Sequence, residues 1–390
     1  MPEPAANDWK SFLYSELRDF RRSLGRVGNP PLMPITIPFQ RTLCLGLLAM
    51  GGCATTSHDP AASHQSATGT AQHMQDFQRY GFNDLSSGEA DATRSGLRQM
   101  SFSDEGQSTD PSIDRQGRQM AFSSNRHGAT HDLYVRMIDG GTITRVTTNP
   151  AEDVMPAFSP DGSVLAFASD RAGNFDIWTV AINGGAPTRL TADDAHEYHP
   201  TFSPDGRRLA YCRTNPRTER NEIWYIDLSQ PMRRVFVEYG TMPEWSPDPA
   251  ESVLVFQQAR ERGRRSYALW TVDVHDQSIG RPQEIISAAN AAAINPTWSP
   301  DAEHIAFATV SEGRDGHETM DLWTIRRNGT KLRHLTADAG EEYQPCWSAD
   351  GCIYFVSTRS GNSNIWSVAD GATARPENEA ARLVGAEGAP

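Results

Sequence analysis

The chain has 390 residues, with 36 basic against 49 acidic side chains and a net charge of -13 at neutral pH. Such a balance repels phosphate backbones and anionic lipid headgroups, so nucleic acid is excluded as a partner and charge cannot hold the chain on a membrane. The length leaves room for one large domain plus an N-terminal segment of nearly a hundred residues.

The segment DWKSFLYSELRDFRRSLGR carries Phe12, Leu13, Leu17, Phe20 and Leu24 at helical spacing, which predicts an amphipathic helix if it is translated. Met33 is an alternative start. The apolar run TLCLGLLAM, Thr42 to Met50, is too short to span a bilayer and follows Arg41. Gly51 and Gly52 then precede Cys53. This resembles bacterial lipoprotein signals, which implies that Cys53 is diacylated and becomes the mature N-terminus; Ala54 after it resembles the pattern that permits outer-membrane sorting. Residues 54–97, beginning ATTSHDPAASHQSATGTAQHMQ, are rich in Ser, Thr, Ala, Gly and Gln and predict a flexible leash spanning about 35 Å. Its histidines His58, His64 and His73 read as solvated linker residues.

From Arg98 the chain repeats itself. PAFSPDGSVLAFAS at Pro156 returns from Pro200, Pro243, Pro296 and Pro345, with a weaker opening copy, PSIDRQGRQMAFSS, at Pro111. Six copies spaced by about 45 residues, each with short alternating apolar runs between turn signals, predict an all-β, six-bladed propeller of four-stranded antiparallel blades over 98–386. Both RQMSFS at Arg98 and ARLVG at Ala381 offer a last outer strand; the N-terminal one is favoured as the clasp, because the loop after it matches those before the other blades.

Within a repeat, Pro is expected to open the inner strand, and the aromatic two places on (Phe158, Phe202, Trp245, Trp298, Trp347) to enter the core between blades. Asp161, Asp205, Asp248, Asp301 and Asp350 read as turn residues rather than a metal ring, since they sit at equivalent places on separate blades. Third strands carry an acid, an aliphatic and an aromatic, as in Asp176-Ile177-Trp178, and outer strands end in RVT or RLT. Cys212, Cys346 and Cys352 are odd in number; Cys346 and Cys352 flank one hairpin at best diagonally, so free thiols are expected.

The repeat PxFSPDGxxLAFxSDRxGxxDIWxVxxxGGxxxRLT resembles the WD40-like (PD40) repeat of the TolB family, over about Arg98 to Val368. That resemblance implies a periplasmic, non-enzymatic propeller of the Tol-Pal envelope system that grips a Pal-like, peptidoglycan-associated lipoprotein. The family carries an α/β domain where this chain has its low-complexity leash.

Function in a propeller lives on loops at the ends of the channel. Asp153, Glu197 and Glu342, with His196, Tyr198, His199, Met242, Asn295, Tyr343 and Gln344, stand just before the prolines and predict an acidic, aromatic mouth that binds a protein partner. The resemblance implies His196, in HEYHP, as a contact to that partner. From the residues alone, His196 and His199 fit equally an ordinary exposed loop, and a metal pair less well. Arg260 and Arg264, in QQARERGRRSYA, fit an anionic partner or plain solvated charge. No GxSxG elbow, Walker loop, HExxH or paired CxxC occurs, so no catalytic residue, cofactor or metal is expected, and a monomer is. The alternative is a carbohydrate-active propeller, lyase type, using a divalent ion at His196 and His199.

Overall fold

The computed structural model describes residues 96–370, apart from 104–105, 260–266, 277, 289–290, 313–317 and 337–339. The N-terminal extension, the signal with Cys53, the leash, the ARLVG segment and both Arg260 and Arg264 lie outside the described residues.

Six antiparallel sheets follow one another. Their inner strands are Ser108–Ile113, Asp153–Phe158, His196–Phe202, Thr241–Trp245, Ala291–Trp298 and Glu342–Trp347, numbered here as blades 1 to 6. Each blade runs outward to a fourth strand, which in blade 3 is the long Gln230–Tyr239 and in blade 2 only Thr188–Arg189. In blade 4 the third strand, Tyr267–His275, pairs with both Ser278–Ile279 and Gln283–Ile286.

Apolar side chains meet between blades, because a four-stranded sheet has two greasy faces and no helix to cover them. Leu133 and Val135 of blade 1 pack on Leu165 and Phe167 of blade 2; Ala210 and Ile223 of blade 3 pack on Leu254 and Phe256 of blade 4. Fully burying a side chain of this size contributes about 1.5–3 kcal/mol.

The N-terminal strand closes the ring. Arg98–Gln99 pairs with Asn364–Ala369, so blade 6 takes three strands from the end of the repeat region and one from its start. Met100 then buries its side chain with Phe122, Tyr134, Tyr354 and Ile365, and its N–H donates to the Ile365 carbonyl at 2.7 Å. Asn364 tightens the clasp, its Oδ1 accepting from the Ser101 hydroxyl and the Ser103 N–H, both at 3.0 Å.

One expectation is corrected. Pro does not open the inner strand but stands inside it: Pro111 is the fourth residue of its strand and Pro200 the fifth. All six inner strands slip register at this point, between Thr109/Ser112, Val154/Ala157, Tyr198/Thr201, Thr241/Glu244, Ile294/Thr297 and Tyr343/Cys346. A β-bulge leaves one residue out of the ladder, which is where a missing N–H costs least.

The motif aspartates make turns. Asp161, Asp205 and Asp301 each accept from the serine two residues before and from the backbone N–H two residues after. Cys212, Cys346 and Cys352 are thiols, not joined in a disulfide, and the Cys212 thiol lies 3.7 Å from the Gly240 carbonyl.

Candidate functional site

The propeller has two ends. At the loop end the inner strands begin and the second and third strands are joined; at the turn end lie the first hairpins of the blades. The acids expected to form a mouth stand at the loop end, but they are buried. Asp153, Glu197 and Glu342 are all 0% exposed. Arg171, the arginine of SDRAG, donates to both oxygens of Asp153 at 2.7 and 2.8 Å, and lies 4.9 Å from the Trp178 ring centroid. Arg359 repeats this arrangement with Glu342 and Trp366. In blade 1, Ser108 replaces the acid, and Arg126 donates to its hydroxyl at 3.1 Å while stacking over Phe122 and Tyr134. Arg234, from the outer strand, reaches Glu197 at 3.5 Å, yet desolvation pushes that carboxyl up to about 8. Asp153 and Glu342 are cross-braces of their blades, because a buried charge must be paired, whereas Glu197 is a buried acid held high by desolvation; none of the three presents itself to a partner.

The aromatic part of the expectation fares differently. His196 is partly buried and stacks on Tyr198, with ring centroids 6.0 Å apart at 10°; Tyr198 also meets Phe175 at 5.0 Å. Tyr343 is partly buried, its hydroxyl 3.1 Å from that of Ser363. Phe102, in the segment joining the clasp strand to blade 1, is 69% exposed at the same end.

His199 goes elsewhere, and so does Met242. They belong to a ring of six residues that directly precede the bulge prolines: Asp110, Met155, His199, Met242, Asn295 and Gln344, with φ between 50° and 57°. None is glycine, and a left-handed conformation costs such residues about 1 kcal/mol or more, so the fold enforces it six times. The left-handed turn takes the side chain out of the sheet and toward the propeller axis. All six line one central cavity of about 490 Å³ that reaches the turn end. His196 and His199 therefore act in different places. Among the described residues no three His, Cys, Asp or Glu side chains converge to hold a metal.

Within the ring, Gln344 donates to Asp110 Oδ1 and accepts from the Asp110 N–H at 3.1 Å, joining blades 6 and 1. Burial raises the Asp110 carboxyl and lowers His199 to about 3, so His199 is neutral; its Nε2 and the Asn295 Oδ1 have no hydrogen-bond partner. Beyond the prolines comes a second ring. There a hydroxyl of one blade accepts the aromatic N–H of the next: Ser112 from Phe158 at 3.4 Å, Thr201 from Trp245 at 3.4 Å, Thr297 from Trp347 at 3.5 Å. Blade 4 puts Glu244 in this place, accepting from Trp298 N–H at 3.2 Å and the Thr297 hydroxyl at 3.1 Å. Although the cavity reaches it, protein surrounds Glu244, and desolvation pushes its carboxyl up to about 7.

The mouth of the cavity carries Pro160, Pro204, Pro247 and Pro300 from the SPD turns, and Arg115 at the corresponding place in blade 1. Sequence reading passed over Asp110, Met155, Glu244 and Arg115. The signal was available: aligning the six copies on their prolines puts the first ring at one column, and shows Glu244 and Arg115 as the odd residues of theirs.

The TolB beta propeller domain (PD40) matches residues 90–279. The Tol-Pal system protein TolB of Anaeromyxobacter dehalogenans is 32% identical over 108 residues, which is 27% of this chain and 21% of that protein. The match thus spans about a fifth of the length of the curated relative. Among solved structures, TolB from Acinetobacter baumannii superposes with a TM-score of 0.51 at 17% identity, over 62% of this chain and 57% of that one. The oligogalacturonate lyase of Vibrio parahaemolyticus does so with a TM-score of 0.50 at 11% identity, over 70% and 93%. At such identities both structures speak for the fold alone. The six closed blades make the described region a β-propeller, and residues 90–279 are similar to the TolB beta propeller domain.

Proposed function

We propose that the chain is an exported, non-enzymatic TolB-like propeller that binds a Pal-like, peptidoglycan-associated lipoprotein at its loop end and supports the cell envelope. The observation that carries this reading is the match of the repeats to the TolB beta propeller domain, together with a TolB of a Tol-Pal system as a relative. The contact surface centres on His196 and Tyr343, backed by Tyr198, with the exposed Phe102 beside the clasp. Aromatic side chains with a polar tip suit such a surface, since they bury area and keep one hydrogen bond. Asp153, Glu197 and Glu342 support it from beneath. Cys53 anchors the propeller to the periplasmic face of the outer membrane through its acyl chains, and Arg260 and Arg264 flank the partner from the blade 4 loop. A monomer suffices.

A lyase-type role needs a divalent ion, and His196 and His199 offer no joint donor set. The test is capture from envelope extract on the immobilised chain, with Phe102→Ala and Tyr343→Ala as comparators. Recovery of a peptidoglycan-associated lipoprotein by the wild type, with at least about tenfold less on the double variant, supports the reading. Equal recovery by both, or none by either, overturns it. Mass spectrometry of the mature N-terminus tests the anchor separately: a diacylated cysteine at 53 is expected, and an unmodified residue beyond the signal contradicts it.

A further inference from the structure

The cavity at the turn end contains more chemistry than a propeller needs to stay closed. At the second ring, Ser112, Thr201 and Thr297 join neighbouring blades with a hydroxyl, so the position requires one acceptor and no charge. Glu244 performs that task with Oε1 alone, which accepts both the Thr297 hydroxyl and the Trp298 N–H. Among the described residues its Oε2 accepts no hydrogen bond, and Glu244 is part of the cavity lining. Next to it in the chain order of blades, Asn295 lines the same cavity, is 7% exposed, and has an Oδ1 without a partner. Two unspent acceptors lining one cavity call for a donor.

The mouth supplies the identity of that donor. Arg115 stands where blades 2 to 5 have proline, and its Nη1 and Nη2 donate to the carbonyls of Pro204, 3.0 Å away, and Pro247, 3.2 Å away. Pro204 belongs to blade 3 and Pro247 to blade 4, while Arg115 comes from blade 1, which faces blade 4 across the axis. One guanidinium of the chain itself therefore spans the opening and is held only by carbonyls of the turns. The lining below it includes Met155, Met242, Phe158, Trp245 and Trp298.

We propose that this cavity is a binding site for a small organic cation of the ammonium or guanidinium type, closed at its mouth by Arg115. The cation seats its charged head between Glu244 Oε2 and Asn295 Oδ1 and lays its alkyl part against Met242 and the Trp298 ring. Aromatic and thioether walls suit a desolvated cation, and about 490 Å³ suits a ligand of a dozen or so heavy atoms. Desolvation already holds Glu244 high, as expected for an acid placed without its counter-charge. Arg115 acts as an internal competitor: its positive charge opposes entry of a second cation until its two carbonyl contacts open. This site is separate from the protein-binding loop end and stands whether or not a lipoprotein binds there.

The full chain is titrated with butylguanidinium and n-butylamine, with n-butanol as the neutral control, and binding is followed by tryptophan fluorescence and calorimetry at pH 8. Saturable binding of the two cations and none of the alcohol is expected. Arg115→Ala, on an exposed side chain, tightens binding several-fold; Glu244→Gln, which keeps the Oε1 acceptor, weakens it at least about tenfold. A short peptide ending in arginine, titrated in parallel, distinguishes the source of the cation: weaker binding than butylguanidinium assigns the site to a free ligand, and equal or tighter binding assigns it to a partner's basic side chain. The proposal is overturned if neither wild type nor Arg115→Ala binds either cation up to about 10 mM, or if Glu244→Gln binds as well as wild type.

Discussion

The acids of the loop end and the acids of the cavity come from equivalent inner strands of different blades, at places a few residues apart in the repeat, yet they are treated oppositely. Asp153 and Glu342 stand before the bulge and each receives an arginine from the SDR or STR turn of the same blade. Asp110 and Glu244 stand at or just past the bulge, line the cavity, and among the described residues receive neutral donors: Gln344, Thr109 and Ser123 for the one, Thr297 and the Trp298 N–H for the other. The bulge is the switch between the two environments. Before it, side chains alternate across the blade faces; the left-handed residue then turns the next set onto the axis. A carboxylate in this repeat is thus a brace where it stands ahead of the bulge and a candidate ligand where it stands at or past it.

The largest test of the contrast is Arg171→Ala. It leaves Asp153 charged and fully buried without its partner, and should cost about 3–5 kcal/mol in urea unfolding. Arg126→Ala in blade 1 should cost clearly less, because Ser108 stands in place of the acid. Equal losses would mean that the stacking of arginine on the aromatic, not the ion pair, is what braces the blade.

An apolar loss at a blade junction calibrates these numbers. Met100→Ala removes the buried anchor of the clasp and should cost about 2–4 kcal/mol, with the N-terminal strand the first part of blade 6 to exchange its amide protons.

Smaller, but more diagnostic, is the pH dependence. Glu244 and Glu197 have folded values near 7 and 8, above the unfolded value near 4.5, so their contribution is full below about pH 4.5 and is lost progressively as pH rises from there through 7 to 8. His199 has a folded value near 3, below the unfolded value near 6.5, so its contribution is present above pH 6.5 and is lost as pH falls below that. The stability these three groups supply should therefore peak near pH 4.5, because above it the two carboxyls lose more than the one imidazole gains. Glu244→Gln should flatten the alkaline side of a Tm-against-pH curve and His199→Asn the acid side; if neither slope moves, the cavity groups are better solvated than their surroundings imply.

The smallest effect concerns the turns. Asp205→Ala removes the acceptor for the Ser203 hydroxyl and the Arg207 N–H on an exposed hairpin, and should cost about 1 kcal/mol by thermal unfolding.

The blades were readable because their physics is local. Alternating runs such as VLAFAS, bounded by SPDG and NGG, specify strands and turns within a few residues, and repetition then requires a ring. The clasp was readable too, since the loop after Arg98–Gln99 copies those before other blades. The bulge was not, because proline at a strand start and proline at a bulge obey the same rule: both spare the ladder a missing donor. That one ambiguity moved the site. It placed Asp153, Glu197 and Glu342 in loops, whereas they lie inside strands beneath arginines, and it left His199 and Met242 at the loop end when they line the cavity. Pairing across a sheet, as between Asp153 and Arg171, also depends on register that only the folded blade fixes.

The contrast between brace and cavity acid is measured most directly by two isosteric variants side by side, Asp153→Asn and Glu244→Gln, unfolded in urea at pH 8. Asp153→Asn should lose at least about 2 kcal/mol, because Arg171 then has no counter-charge, while Glu244→Gln should be unchanged or gain, since a desolvated charge is removed and both hydrogen bonds remain. Similar losses in the two variants, or a loss confined to Glu244→Gln, would contradict the assignment of the two sets of acids to different roles.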